Sequence, residues 1–288
     1  MNTTKLKKSL MLPLATVTLS SFAMQFDELK VLSEGEVLEI TENTVFAKGL
    51  SGKGRVVNKS TSTMYTLTFQ GGTADAPCVF DGSIDGKFEL YTKYGNQHFA
   101  NPDVQTKGHT TEGWGHLDGA VGGTFGFASF AGLGGNFIDH TGFRLLWLGQ
   151  QSETVKPGFT FFGSDTAAFE IDAGTFGGLT LDGVWSLHSS SPYQRMVVLT
   201  GDNPEACVVT NRLLRIANEN SPSGGYSFHV VKRGGGIWEF AEGTLTNGQQ
   251  PFSGAITVES GTLRFDSLAE KGTVCALGTA LDLYEAKN

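Results

Sequence analysis

Val231 to Phe265 reads VKRGGGIWEFAEGTLTNGQQPFSGAITVESGTLRF. Three short runs stand out in it: Ile237-Trp238-Glu239-Phe240, Ala255-Ile256-Thr257-Val258 and Thr262-Leu263-Arg264-Phe265. Their side chains follow a period of two, and glycine or a polar turn closes each run. A strand sends successive side chains to opposite faces, so this pattern predicts short strands. No stripe at helical spacing is long enough to compete. The stretch predicts an all-β chain.

The same residues resemble a known repeat. Lys232-Arg-Gly234-Gly-Gly236-Ile-Trp238-Glu-Phe240, Phe252-Ser-Gly254-Ala-Ile-Thr-Val258 and Ser260-Gly261-Thr262-Leu263-Arg264-Phe265 are similar to the autotransporter-associated β-strand repeat, also called the passenger-associated transport repeat. The family pattern is Lys-x-Gly-x-Gly-x-Leu-x-Leu, then aromatic-x-Gly-x-Thr-x-Val, then Gly-Thr-Leu. Phe252 supplies the aromatic, while Gly254-Ala255-Ile256-Thr257 replaces the usual Gly-Gly-Thr turn. The resemblance implies a single-stranded right-handed parallel β-helix (solenoid) with Gly-rich loops in an exported bacterial surface protein. It carries no catalytic residue and no cofactor.

Upstream, the segment 49–95 holds an internal echo. Phe80-Asp-Gly82-Ser-Ile84 parallels Phe252-Ser-Gly254-Ala-Ile256, and Tyr65–Phe69 and Lys87–Leu90 read as strands. Between 143 and 200, strand-like runs recur at Phe143–Leu148, Phe159–Phe162, Ala168–Ile171, Leu179–Leu181, Val184–Leu187 and Met196–Leu199. Asp172-Ala-Gly174-Thr175 and Glu259-Ser-Gly261-Thr262 share an acid-x-Gly-Thr turn, which favours coils of one helix. Coils of ~20–25 residues would give about ten turns over 24–288. Phe26–Leu32 reads as a short helix within an N-terminal cap at 24–48, since a solenoid must cover its open apolar end. The glycine-rich run Gly119–Gly135 reads as a protruding loop or as stacked small-residue turns. The best repeat match lies at 231–265, and Leu277–Tyr284 reads as the opening of a further coil, as if the chain were truncated.

Residues 1–23 predict a secretory signal peptide: Lys5, Lys7 and Lys8, an apolar run from Leu10 to Leu19, then Ser21-Phe22-Ala23. Its apolar run is shorter than the ~20 residues a membrane span needs. Loss of those three lysines takes the formal charge from −8 to −11. An acidic chain without clustered Lys and Arg argues against nucleic acid and anionic lipid as partners. The 39 glycines, without a collagen period, accompany 21 phenylalanines, too many for a disordered chain. Cys78, Cys207 and Cys275 are widely spaced within apolar runs and read as buried hydrophobes, with one disulfide plus a free thiol as the alternative.

The chemical motifs are weak. In Leu50-Ser-Gly-Lys-Gly54, Lys53 precedes glycine where a phosphate loop needs Ser or Thr. His109-Thr-Thr-Glu-Gly-Trp-Gly-His116 fits no closed zinc spacing and reads as an exposed polar loop. Gly134-Gly-Asn-Phe-Ile-Asp139 departs from a calcium nonapeptide at Phe137. No metal site is expected. Asp139, Asp165, Asp172 and Asp182 are available to a polysaccharide lyase or glycosidase, but no repeated acid pattern aligns them, and no Gly-x-Ser-x-Gly elbow exists. Trp147, Trp185 and Trp238 sit in strand-like runs and read as core. Trp114, between two glycines, is the candidate for a ligand contact.

These readings lead to a non-enzymatic surface or extracellular protein, either passenger or adhesin-like or a structural spacer. Its expected partners are host or matrix glycans or surface proteins, with end-to-end or edge association between copies. The rival readings are a carbohydrate-active β-helix enzyme and a carbohydrate-binding module.

Overall fold

The computed structural model describes residues 23–92, 94–102, 117–119, 123–131, 136–139, 144–155, 158–162, 168–182, 185–188, 195–210, 228–241, 255–265, 274–275 and 278–279. The alternating runs fold as strands, and the described residues contain no helix. The first nine strands show the scheme. They are β1 (Met24–Phe26), β2 (Lys30–Leu32), β3 (Val37–Glu39), β4 (Thr44–Phe46), β5 (Leu50–Gly52), β6 (Arg55–Val57), β7 (Tyr65–Phe69), β8 (Cys78–Phe80) and β9 (Ser83–Asp85). The chain visits three sheets in fixed cyclic order, so that β1-β4-β7, β2-β5-β8 and β3-β6-β9 are neighbours, all parallel.

β10 (Phe88–Thr92) and β12 (Leu117–Gly119) extend the first sheet to five strands. β11 (Asn96–Phe99), β13 (Thr124–Phe127), β15 (Arg144–Trp147), β18 (Phe169–Asp172), β21 (Arg195–Thr200), β23 (Phe228–Lys232) and β25 (Ala255–Val258) extend the second to ten. β14 (Asn136–Asp139), β17 (Gly158–Phe162) and β20 (Trp185–His188) form one further parallel sheet. β16 (Glu153–Val155), β19 (Leu179–Leu181), β22 (Cys207–Thr210), β24 (Ile237–Ala241) and β26 (Thr262–Phe265) form another. A final pair, β27 (Val274–Cys275) and β28 (Gly278–Thr279), is antiparallel.

In the ten-stranded sheet Lys30 faces Leu50, Gly52 faces Phe80, Gln97 faces Cys78, Asn96 faces Thr124 and Thr124 faces Arg144. Circuits of about 20 and about 28 residues therefore alternate along this part of the chain, within the range of stacked repeat units. The register keeps like side chains in columns. Phe26, Phe46 and Phe69 stack face to face, with centroids 5.4 and 5.3 Å apart. The next residue in that column is Thr92, too small to continue it. Phe99 and Phe125, from the ten-stranded sheet, fill the space by meeting Phe69 edge-on at 5.6 and 5.8 Å. Phe99 then stacks on Phe127 at 5.0 Å. All but Phe26 are fully buried, and offset or edge-on ring pairs add to what burial supplies.

Phe26–Leu32 is not a helix. Met24–Phe26 and Lys30–Leu32 are strands in two different sheets, because Phe26 stacks on Phe46 and Leu32 is buried in the core. Tertiary stacking of the two apolar ends outweighs the local helical pattern between them. Lys30 occupies an inward position opposite buried Leu50. Its ammonium lies over the Phe26 ring, 5.5 Å from the centroid, and pairs with Glu36 at 3.4 Å. An inward-pointing charge on a first strand is one way to blunt a free edge. The glycine-rich run also holds a central strand, β13, whose Phe125 and Phe127 are buried.

Glycines form a column where the chain leaves the ten-stranded sheet. Gly174, Gly201, Gly234 and Gly261 all have positive φ, from 63° to 126°. A Cβ on Gly261 would lie 2.3 Å from the Gly234 carbonyl, and one on Gly234 would lie 2.5 Å from that of Gly201. Only glycine fits such a stack. Beside it, the buried Lys232 ammonium donates to the carbonyls of Arg233, Gly234 (2.9 Å) and Ser260 (3.2 Å). The lysine thus ties together two successive turns. Burial lowers its pKa, while the Asp202 charge opposes that shift.

Lys232→Met should leave these carbonyls without their donor. We expect a loss of about 2–4 kcal/mol in denaturant unfolding. Arg233→Ala, which removes an exposed ion pair with Glu259, should have little effect. Equal effects of the two substitutions would refute the structural role of Lys232.

Candidate functional site

The pleat sends Gln97 and Phe99 into the core and leaves Asn96 and His98 on the opposite face of β11. Parallel register then builds two outer rows. One runs Asn96, Thr124, Arg144, Glu170. The other runs His98, Gly126, Leu146, Asp172. Beyond Glu170 the first row continues as Val198 and Val231, both buried. Asn96, His98, Thr124, Arg144, Glu170 and Asp172 make one polar patch over four strands. Polar residues return further along the face, where His229 Nε2 and Thr257 Oγ1 lie 2.8 Å apart.

Arg144 organises the patch. Its guanidinium bonds Glu170 at 3.0 Å and also Asp172, which is almost fully buried and accepts the Gly174 N–H at 2.7 Å. Both carboxylates are engaged by one guanidinium, and Asp172 by a backbone N–H as well. Asn96 Oδ1 and His98 Nε2 are buried atoms without hydrogen-bond partners. Burial, and secondarily the Arg144 charge, hold the His98 pKa below its ordinary value of 6.5. The imidazole is therefore neutral near pH 7.

At the corner after this sheet two clefts open side by side. The larger, about 680 Å³, is lined by Ala100, Ala128, Ser129, Gly149, Gln150 and Glu153 among others. The smaller, about 490 Å³, includes Trp147, Gly149, Gln150, Gly174 and Phe176. Glu153 is already engaged: its two oxygens accept Ser129 Oγ at 2.7 Å and the Phe130 N–H at 2.8 Å.

Sequence candidates fall elsewhere or serve the fold. Trp114, His109, His116 and Asp165 lie outside the described residues. Asp139 and Trp185 sit on strands whose side chains are likewise outside them. Asp172 is the buried partner of Arg144, and Asp182 accepts Thr210 Oγ1 at 2.7 Å. Trp147 and Trp238 are core residues, and Trp238 Nε1 donates to the Thr200 carbonyl at 3.0 Å. Lys53 pairs with Asp81 and precedes a strand, not a helix. Cys78 and Cys207 are free thiols, with Cys207 pushed up to about 11 by burial. Among the described residues no group of three or more His, Cys, Asp or Glu is placed to share a metal ion, and no helix is long and apolar enough to cross a membrane. Sequence reading missed Asn96, His98, Arg144 and the clefts, since their neighbours come from circuits of unequal length.

The His98 environment has a measurable consequence. Its folded pKa lies below the unfolded one, so the unfolded chain takes up the proton first. Stability contributed by neutral His98 is full above the unfolded value and falls as pH drops below 6.5. Thermal unfolding at stepped pH should show this decline, and His98→Gln should flatten it. An unchanged slope in the variant would count against it.

No family model matches this chain, and neither a curated protein nor a solved structure matches it.

Proposed function

We propose that this chain is an exported, non-enzymatic parallel β-helix, acting at the cell surface or beyond as a passenger or adhesin-like element or as a structural spacer. The circuits are then coils of one single-stranded right-handed solenoid. One observation carries this reading: parallel strands pair in strict chain order through a ten-stranded sheet. Only a chain that returns to the same face after each circuit pairs that way.

The repeat resemblance gains support from Lys232. The lysine of the family pattern bonds carbonyls of two successive turns, a role that belongs to coil stacking. The non-enzymatic reading is supported by the fate of the acids. Asp172 and Asp182, the described members of the lyase candidates, are taken up by Arg144 and Thr210. Export is supported by the basic and apolar pattern of residues 1–23, and β1 begins at Met24, directly after the expected cleavage point. The acidic mature chain suits glycans or surface proteins as partners better than nucleic acid.

Expression of the full chain in a bacterium with two membranes tests the export reading. Mass spectrometry should find a product beginning at Met24, outside the cytoplasm. Substitution of Lys5, Lys7 and Lys8 by Glu should hold the precursor back. An unprocessed wild-type chain that stays in the cytoplasm would overturn the proposal.

A further inference from the structure

We infer that the two corner clefts form one groove that binds a linear, neutral oligosaccharide. The floor repeats with the sheet. Ala100, Ala128 and Leu148 each follow the last residue of a strand, and their N–H groups bond Phe80, Phe99 and Phe127 at 2.8–2.9 Å. The ladder thus continues one residue past β11, β13 and β15, and Gly174 follows near the end of β18. Ala100, Ala128, Leu148 and Gly174 are thus in register at the strand spacing of ~4.8 Å, which suits a ligand built of repeating units.

The rim specifies the chemistry. Gln150, Gln151 and Ser152 are exposed and offer both donors and acceptors. Phe176 presents an exposed ring beside the smaller cleft, an apolar plate for the C–H face of a pyranose. Glu153 is the charged residue of the lining, and both its oxygens are already bonded. No cation lines either cleft among the described residues, so a carboxylated or phosphorylated chain finds no counter-charge. A wholly apolar ligand would strand the amides without partners. A polymer of hydroxyls and C–H faces satisfies both.

A second observation points into the same place. Trp147 is 1% exposed, and its Nε1–H has no acceptor. The indole edge lies beneath Gly149, where a Cβ would approach Nε1 to 2.4 Å. Gly149 borders both clefts. An orphaned buried donor thus sits at the seam the two clefts share, and a ligand hydroxyl in the groove is the acceptor assigned to it. This assignment rests on the groove alone and stands or falls separately from export.

The test titrates the purified chain with cellohexaose, maltohexaose, laminarihexaose and chitohexaose, and with hexagalacturonate as the charged comparison. Calorimetry gives affinity, and the Trp147 indole N–H resonance reports the site. At least one neutral hexasaccharide should bind and move that resonance. Phe176→Ala should weaken binding about tenfold, with unchanged circular dichroism because the ring is exposed. Tyr94→Ala, an exposed aromatic outside the groove, should bind as wild type. The inference is overturned if none of the four neutral sugars binds at millimolar concentration. It is equally overturned if hexagalacturonate binds as well as they do, or if Phe176→Ala leaves affinity and the indole shift unchanged.

Discussion

The structure depends on in-register stacking of inward side chains between successive parallel strands. No single circuit can bury its own apolar face; burial comes from the circuit before and the circuit after. The Phe26–Phe46–Phe69 column and the Phe99–Phe127 pair are this interaction in its simplest form. Where a column is interrupted, as at Thr92, rings from a neighbouring sheet turn edge-on into the gap. Polar side chains repair the backbone where pairing lapses. β5 and β8 pair only at Gly52 and Phe80, and the Gln97 amide serves the freed groups. It accepts from the Leu50 N–H at 3.0 Å and donates to the carbonyls of Leu50 and Cys78 at 2.9 and 3.1 Å.

Charges on the inward face obey the same constraint. Lys30 and Lys232 lie in one inward column, near opposite ends of the ten-stranded sheet. Lys30 is half-buried on a first strand and is compensated by an aromatic face and Glu36. Lys232 is fully buried and is compensated by carbonyls of adjoining turns. A buried cation without such partners would be strongly destabilising, so each lysine holds its local turn geometry in place. The outer face uses charge differently: Arg144 gathers Glu170 and Asp172 and leaves the neighbouring groove without a free ion.

Much of the strand pattern was legible because it is local. Tyr65–Phe69, Leu179–Leu181, Ala255–Val258 and Thr262–Phe265 fall on strands with the same limits. The shared acid-x-Gly-Thr turn was legible too, and its glycines, Gly174 and Gly261, both have positive φ in the structure. Phe26–Leu32 misled because two apolar ends at helical spacing also suit two strands of different sheets. Thr124–Phe127 was hidden by its glycines, although Phe125 and Phe127 alternate with Gly126 in the pattern of a strand. The outer rows and the groove were not legible at all. Their members meet through register, and unequal circuit lengths erase any fixed spacing between Asn96, Thr124, Arg144 and Glu170.

We propose that these layers form one continuous parallel coil. Small-angle X-ray scattering from the purified chain tests it most directly. The account predicts a moderately elongated particle, about 48 Å along its axis for ten layers at ~4.8 Å each, with a maximum dimension above that of a sphere of the same mass. A scattering profile of a compact sphere would contradict it.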